Sequence, residues 1–147
     1  QFRTRPTGQR PSRRNTEVLM SNEQAAIDIG SKATPNASTY VKPQDIEWQD
    51  TRFDGISIKV LYQDKEKNEM TCMLRWAPGA TLPFHRHPEL EQSYVIEGSF
   101  SDHDGICRAG EYVWRTAGSK HETYSEEGCV ILAVYRKPNL FRSGPAY

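Results

Sequence analysis

Gly79-Ala80-Thr81-Leu82-Pro83-Phe84-His85-Arg86-His87-Pro88-Glu89-Leu90-Glu91-Gln92-Ser93-Tyr94-Val95-Ile96-Glu97-Gly98 is the stretch that decides the reading of this chain. Phe84–His87 reads as a short strand, so His85 and His87 project from one face while Arg86 points the other way. Pro88 turns the chain, and Glu91 starts the next strand, where it can fold back toward the histidine pair. His121 arrives much later, just after a turn at Gly118. Three imidazoles and one carboxylate inside a β structure make an N₃O donor set. Such a set suits iron, manganese, nickel, cobalt, copper or zinc, and suits calcium or magnesium poorly. An isolated H-x-H is weak evidence, because most such pairs are accidents of a surface or a core. The spacing around this one carries the argument.

Working outward, Ile56, Ile58, Val60 and Tyr62 alternate with Ser57, Lys59 and Leu61, the period-two pattern of a half-buried strand. The polar run Gln63–Asn68 predicts a turn, and Met70, Cys72, Leu74 and Trp76 then alternate with Thr71, Met73 and Arg75 to complete a hairpin that Pro78-Gly79 ends. Downstream, Ser93–Ile96 reads as a strand closed by Gly98, and Ser99–Asp102 as the start of the next. Asp104-Gly105 is a hairpin dipeptide. Glu111–Arg115 and Lys120–Tyr124 follow Gly110 and Gly118, and Cys129–Tyr135, apolar on both faces, predicts a central strand. No helical pattern of useful length lies between Thr39 and Pro138. Many short strands with glycine turns predict an all-β sandwich or barrel.

Written as spacings, the first block is Gly79-x5-His85-x-His87-x3-Glu91-x6-Gly98, and a second is Gly110-x5-Thr116-x-Gly118-x2-His121-x3-Ser125. These resemble the two motifs of the cupin superfamily, G-x5-H-x-H-x3-4-E-x6-G and G-x5-P-x-G-x2-H-x3-N. The first matches in full. The second has Thr116 for proline and Ser125 for asparagine, neither a metal ligand in the family, so the turn at 116–118 is expected to be less rigid while the site survives. The segment from His85 to Glu91, with Val95 to Asp102, is similar to ChrR-like cupins, which include the cupin domain of ChrR-type anti-sigma factors and small enzymes such as the dihydroxyacetophenone dioxygenases. The resemblance spans roughly residues 40–140. It implies a jelly-roll barrel, a homodimer, and one divalent metal near a barrel mouth bound by His85, His87, Glu91 and His121.

The remaining candidates read more plainly. His103 sits in a hairpin turn and is expected in solvent; Glu122 faces away from His121. H-E-x-x-H is absent, because Ser125 holds its last position. Neither a G-x-S-x-G elbow nor a phosphate-cradling glycine loop occurs. Trp76, Trp114, Tyr94 and Tyr124 are expected as core or dimer-interface aromatics, and Cys72 and Cys129 as packing. By strand parity Ser93 and Val95 share the face of Glu91, and Thr123 that of His121, which makes the three candidates for a pocket wall that binds the substrate.

With 147 residues the chain is expected to hold one domain, residues 40–147, after an extension over 1–39. Its charges balance at 19 basic and 19 acidic residues. Residues 1–19 hold five arginines against Glu17, so the rest carries 14 basic and 18 acidic residues, a formal −4. That body gives no electrostatic reason to bind nucleic acid. The basic arm has two prolines and no helical periodicity, so it reads as a flexible extension, with Met20 a candidate natural start. No apolar run approaches membrane-spanning length. Three cysteines without a CxxC pair fit reduced thiols and a cytoplasmic setting.

Four protein ligands on an octahedral metal leave two positions for a substrate oxygen and O₂, the logic of a non-haem oxygenase. The leading expectation is an Fe²⁺ dioxygenase acting on a small oxygenated carbon compound, of hydroxy-ketone or diketone type, with Glu91 as the catalytic residue. The rival from another class is a non-catalytic metal-binding or sensing cupin. Upstream of residue 40 there is neither Cys nor His, which argues against an anti-sigma factor of the ChrR type. Zn²⁺ or Mn²⁺ at the same site would instead favour a hydrolase or isomerase.

Overall fold

A computed structural model describes residues 35–141. The proposed extension over residues 1–39 thus lies largely outside the described residues, as does the chain after 141. Ten strands run in chain order: β1 Gln49–Asp50, β2 Ile56–Asp64, β3 Glu69–Trp76, β4 Thr81–Arg86, β5 Glu91–Asp102, β6 Gly105–Arg108, β7 Tyr112–Arg115, β8 Lys120–Tyr124, β9 Cys129–Tyr135 and β10 Leu140–Phe141. The helical content of the described residues is a single 3₁₀ turn at Pro43–Asp45. All strand pairs are antiparallel, in the order β1-β2-β3-β9-β5-β8-β4-β10, with β6 and β7 also on β5. This is the all-β, jelly-roll architecture expected from the strand pattern and the motifs.

Period-two burial builds the core. Met70, Cys72, Leu74 and Trp76 of β3 are buried, as are Cys129, Ile131, Ala133 and Tyr135 of β9, which lies centrally between β3 and β5. Trp76 and Phe100 bring the two inner faces together, their ring centroids 6.2 Å apart. Tyr62 departs from the expected alternation and is exposed, because the register slips between Val60 and Tyr62 and turns the side chain outward. The predicted turn after β2 is held by Asp64 Oδ1, which accepts from the amides of Glu66 and Lys67 at 3.0 and 2.9 Å.

The other departure matters for the site. Instead of closing a strand, Gly98 sits inside β5, which runs unbroken for 12 residues. Its first part pairs with β9 and β7, and its last part with β6 and β8. A register shift between Val95 and Glu97 and the left-handed φ of 68° at Gly98 bend the strand from one sheet into the other. β5 therefore carries Glu91 on one sheet and Asp102 on the other.

Candidate metal centre

β4 and β8 set two of the imidazoles directly opposite each other, with His85 paired to His121 in register. His87 lies one residue past β4 and is fixed by backbone bonds to the turn before β8: its amide donates to Ser119 O at 3.0 Å, and Gly118 N donates to His87 O at 2.7 Å. The turn bearing Thr116 in place of proline is thus tied to a candidate ligand, with Ser119 N also donating to Thr116 O. Ser125, where the family has asparagine, is fully buried and donates to Ser99 O at 2.6 Å. His85, His87 and His121 are all buried, and one nitrogen from each falls within 4.8 Å of the others.

Which nitrogens face inward follows from the partners of the others. His85 Nδ1 lies 2.8 Å from Pro83 O, and His121 Nδ1 lies 2.8 Å from Asp102 Oδ2. A carbonyl and a carboxylate can only accept, so both Nδ1 atoms carry the proton. His87 Nδ1 lies 2.8 Å from Ser119 Oγ, whose own hydrogen goes to Thr116 O at 2.7 Å, so this Nδ1 donates as well. Each ring is left with its Nε2 lone pair. The Nε2 atoms of His85 and His121 stand 3.1 Å apart, and that of His87 is buried without a hydrogen-bond partner. Converging lone pairs repel one another unless a cation lies among them. The donor set therefore fits a divalent transition metal, with each ring oriented from behind as metal-bound histidines are.

The electrostatics agree. Burial lowers the His85 pKa to about 4 against the help of Pro83 O, and burial with the neighbouring imidazoles lowers His87 to about 3. Burial and the Arg115 charge lower His121, opposed by Asp102. All three rings are neutral at pH 7, the state a metal requires. Burial would raise Asp102, but hydrogen bonds from Arg115 and His121 outweigh it and hold this carboxyl well below its usual range. A lowered imidazole pKa means that the folded chain takes up fewer protons than the unfolded one below the ordinary 6.5. The metal-free protein should therefore lose stability as pH falls from 6.5 toward about 4, with Glu91, raised by burial, acting in the opposite sense. Urea midpoints measured between those limits should fall with pH; a flat or rising series would contradict the assignment.

Glu91 is buried beside the cluster. Its Oε2 lies 3.4 Å from His87 Nε2, an approach to a neutral ring, and accepts from Asn139 Nδ2 at 2.8 Å. Arg115 Nη1 reaches Glu91 Oε1 at 3.5 Å while its Nη2 reaches Asp102 Oδ2 at 2.9 Å. Ser93, Val95 and Thr123 are buried on the inward faces, as parity required. A cleft of about 540 Å³ lies against Asp102 and Arg115 between β6 and β7 and is lined by other residues. His103 is exposed in its turn and Glu122 points outward. All three cysteines are free; Cys72 and Cys129 pack in the core, where burial pushes the Cys129 thiol up to about 11.

Asp102, Arg115, Ser119 and Asn139 went unnoticed in the sequence. Asp102 reads there only as part of a strand, and it ends β5 with its Oδ1 accepting from the amides of Asp104 and Gly105 in the turn that follows. Its second oxygen serves His121, which nothing in the local pattern signals.

Comparison with known proteins follows the same lines. The family model described as the ChrR cupin-like domain matches residues 36–138. The anti-sigma-E factor ChrR of Cereibacter sphaeroides is 29% identical over 103 residues, 68% of this chain and 46% of that protein. This chain thus spans about half the length of that relative. The complex of Rhodobacter sphaeroides SigE with the anti-sigma ChrR matches with a TM-score of 0.55 at 25% identity, covering 64% of this chain and 50% of that one. An acetylacetone dioxygenase from Acinetobacter johnsonii matches with a TM-score of 0.64 at 17% identity, over 76% and 80% of the two chains, a likeness of fold.

Proposed function

The chain belongs to the ChrR cupin-like domain family, and on that premise we propose that it is a metal-dependent dioxygenase of small oxygenated carbon compounds, hydroxy-ketones or diketones. The observation that carries the metal half of this reading is the convergence of three Nε2 lone pairs, each fixed by an acceptor behind its ring. His85, His87 and His121 hold the ion, and Glu91 is the further donor within reach. Fe²⁺ bound there would supply Lewis acidity to a substrate oxygen and redox chemistry with O₂. The chain supplies the rest. Pro83, Ser119 and Asp102 keep the rings in the ligating tautomer, and the buried surroundings keep bulk water away. Glu91, pushed up by burial, takes a proton more readily than an exposed carboxylate and is the residue that would accept one from substrate. Ser93, Val95 and Thr123 are the nearby small inward side chains that would line the substrate.

The fold likeness to an acetylacetone dioxygenase supports the oxygenase reading. A second reading has its own support, since the curated relative is an anti-sigma factor: the same donor set would serve a metal-sensing module without turnover. Protein purified without chelators or affinity metal separates the two. One iron per chain, with O₂ consumed on adding a hydroxy-ketone or diketone, is the expected result. Tightly held zinc and no O₂ uptake would replace the oxygenase by the sensor, or by a zinc hydrolase or isomerase.

A homodimer belongs to the same reading. Tyr94 and Tyr112 are register partners on the outer face of β5 and β7, with Trp114 beside them, and all three are about half exposed. Sedimentation should give twice the 16.8 kDa chain mass, and a monomer mass would remove the dimer. The unpaired thiols suit a reducing cytoplasm. Among the described residues no helix is long and apolar enough to cross a membrane.

A further inference from the structure

His87 Nε2 and Asn139 Oδ1 share a property: each is buried and has no hydrogen-bond partner among the described residues. For His87 a bound metal accounts for it. Asn139 needs an account of its own, because an amide carbonyl left unpaired in an interior is unfavourable and seldom kept without a use. This residue stands in the link between β9 and β10, only 1% exposed, one position past the segment that the family model matches. Its Nδ2 donates to Glu91 Oε2 at 2.8 Å, and that same oxygen lies 3.4 Å from His87 Nε2. A carboxylate accepts, so the amide nitrogen is the atom on Glu91 and the oxygen is the one left over.

Register puts this amide on the wall of the metal site. β10 pairs with β4, Leu140 opposite Arg86 and Phe141 opposite His85. The Phe141 ring packs on His85, with centroids 5.1 Å apart, and Phe53 backs it at 4.9 Å. Continued by one residue, the same register sets Asn139 opposite His87, and parity puts it on the face of Phe141. Asn139 is thus the polar member of a wall that Phe141 otherwise makes apolar. The groups known around it supply no second donor. Glu91 offers acceptors, the two phenylalanines offer neither, and the Arg115 guanidinium is turned to Glu91 Oε1 and Asp102 Oδ2.

We propose that Asn139 determines which substrate the site takes: its Oδ1 accepts a hydrogen bond from a hydroxyl of the ligand, so that hydroxy-ketones are selected over diketones. A hydroxy-ketone and a diketone can present the same pair of oxygens to a metal. They differ in what they present to the wall. The hydroxyl brings an O–H that pairs the amide carbonyl, whereas the diketone brings a second acceptor, which faces Oδ1 with like partial charge. A site with a buried group waiting for a hydroxyl discriminates against the analogue that lacks one. Such selection rests on the metal site and substrate class proposed above and needs no turnover.

Affinity can be read without turnover by loading the chain with Co²⁺ under argon, since the visible spectrum of the ion changes when a ligand joins it. The probes are acetoin and diacetyl, which share a carbon skeleton and differ at one oxygen, hydroxyl in the first and carbonyl in the second. The parent should bind acetoin tighter by about ten-fold or more, the worth of a hydrogen bond to a buried acceptor otherwise unpaired. Asn139→Leu should bring the two to equal affinity by weakening acetoin alone, and Asn139→Asp, which keeps an acceptor, should keep the preference. The methyl ether of acetoin, which lacks the O–H, should bind the parent no tighter than diacetyl does, a comparison that needs no variant to fold. Equal affinity of the parent for acetoin and diacetyl, or binding of neither, would overturn the proposal. So would an Asn139→Leu chain that weakens both ligands by one factor, the mark of a purely structural amide. A preference for acetoin without O₂ uptake by the iron-loaded chain would remove the oxygenase and leave the selection standing. O₂ uptake as ready with diacetyl as with acetoin would do the reverse. Failure of the parent to bind Co²⁺ at all would remove the metal site and the selection with it.

Discussion

His121→Ala is expected to take metal content from one ion per chain to none, with affinity lowered about 100-fold or more. The estimate comes from the arrangement behind the ring. Breaking the hydrogen bond that orients a metal-bound histidine costs about 10–100-fold in affinity, and removing the ring itself must exceed that. Asp102→Asn supplies this smaller, graded loss. Asp102 Oδ2 receives the His121 Nδ1 hydrogen at 2.8 Å and an Arg115 hydrogen at 2.9 Å, so neutralising it weakens both. The comparison is made by titrating Co²⁺ or Zn²⁺ into metal-free protein. The expected order is parent, then Asp102→Asn, then His121→Ala. Equal affinity in all three would remove His121 from the site. A loss in Asp102→Asn as large as in His121→Ala would mean that the carboxylate holds the whole turn, since its other oxygen already closes the hairpin at Asp104 and Gly105.

That contrast also marks what a reader of the sequence could see. His85 and His87 were legible because parity alone puts residues two apart on one face, and both are buried. The β2–β3 hairpin and the central position of β9 were legible for the same reason, since burial with period two is local. What supports the histidines was not. Asp102 meets His121 across 19 positions of chain and Asn139 meets Glu91 across 48, contacts that exist only once β5 and β10 are placed. A strand-internal slip, as between Val60 and Tyr62, likewise leaves no trace in an alternating pattern that reads equally well without it. Gly98 misled in a different way. A glycine between two apolar runs is ordinarily a stop, whereas here it is the bend that lets one strand serve two sheets.

Gly98→Ala should therefore be the most damaging small change in the described fold, and Gly110→Ala its control. Both glycines belong to the two motifs and both have left-handed φ, 68° and 83°. An alanine in that region costs about 1–2 kcal/mol from backbone strain alone. At Gly110 nothing lies within 4 Å of where the new Cβ would sit, so strain should be the whole effect. At Gly98 the Cβ would collide with the carbonyl oxygen of Gly128 and approach Cys129 Cα to 3.0 Å. Both obstacles are backbone atoms at the start of β9, Gly128 itself has φ 89°, and no rotamer change relieves the overlap. β5 and β9 must separate where Gly98 pairs with Cys129. A total above about 3 kcal/mol follows, a large share of the 5–15 kcal/mol that holds a typical domain. In thermal melts Gly110→Ala should lower Tm by roughly 4–8 °C and Gly98→Ala by well over 10 °C, or prevent soluble expression. Because Gly98 joins the part of β5 that carries Glu91 to the part that carries Asp102, any Gly98→Ala protein that does fold should also lose metal affinity. Gly110→Ala should keep it. Matching melting shifts for the two variants would mean that β9 yields easily, and that the bend at Gly98 is not what brings Glu91 to His87 and Asp102 to His121.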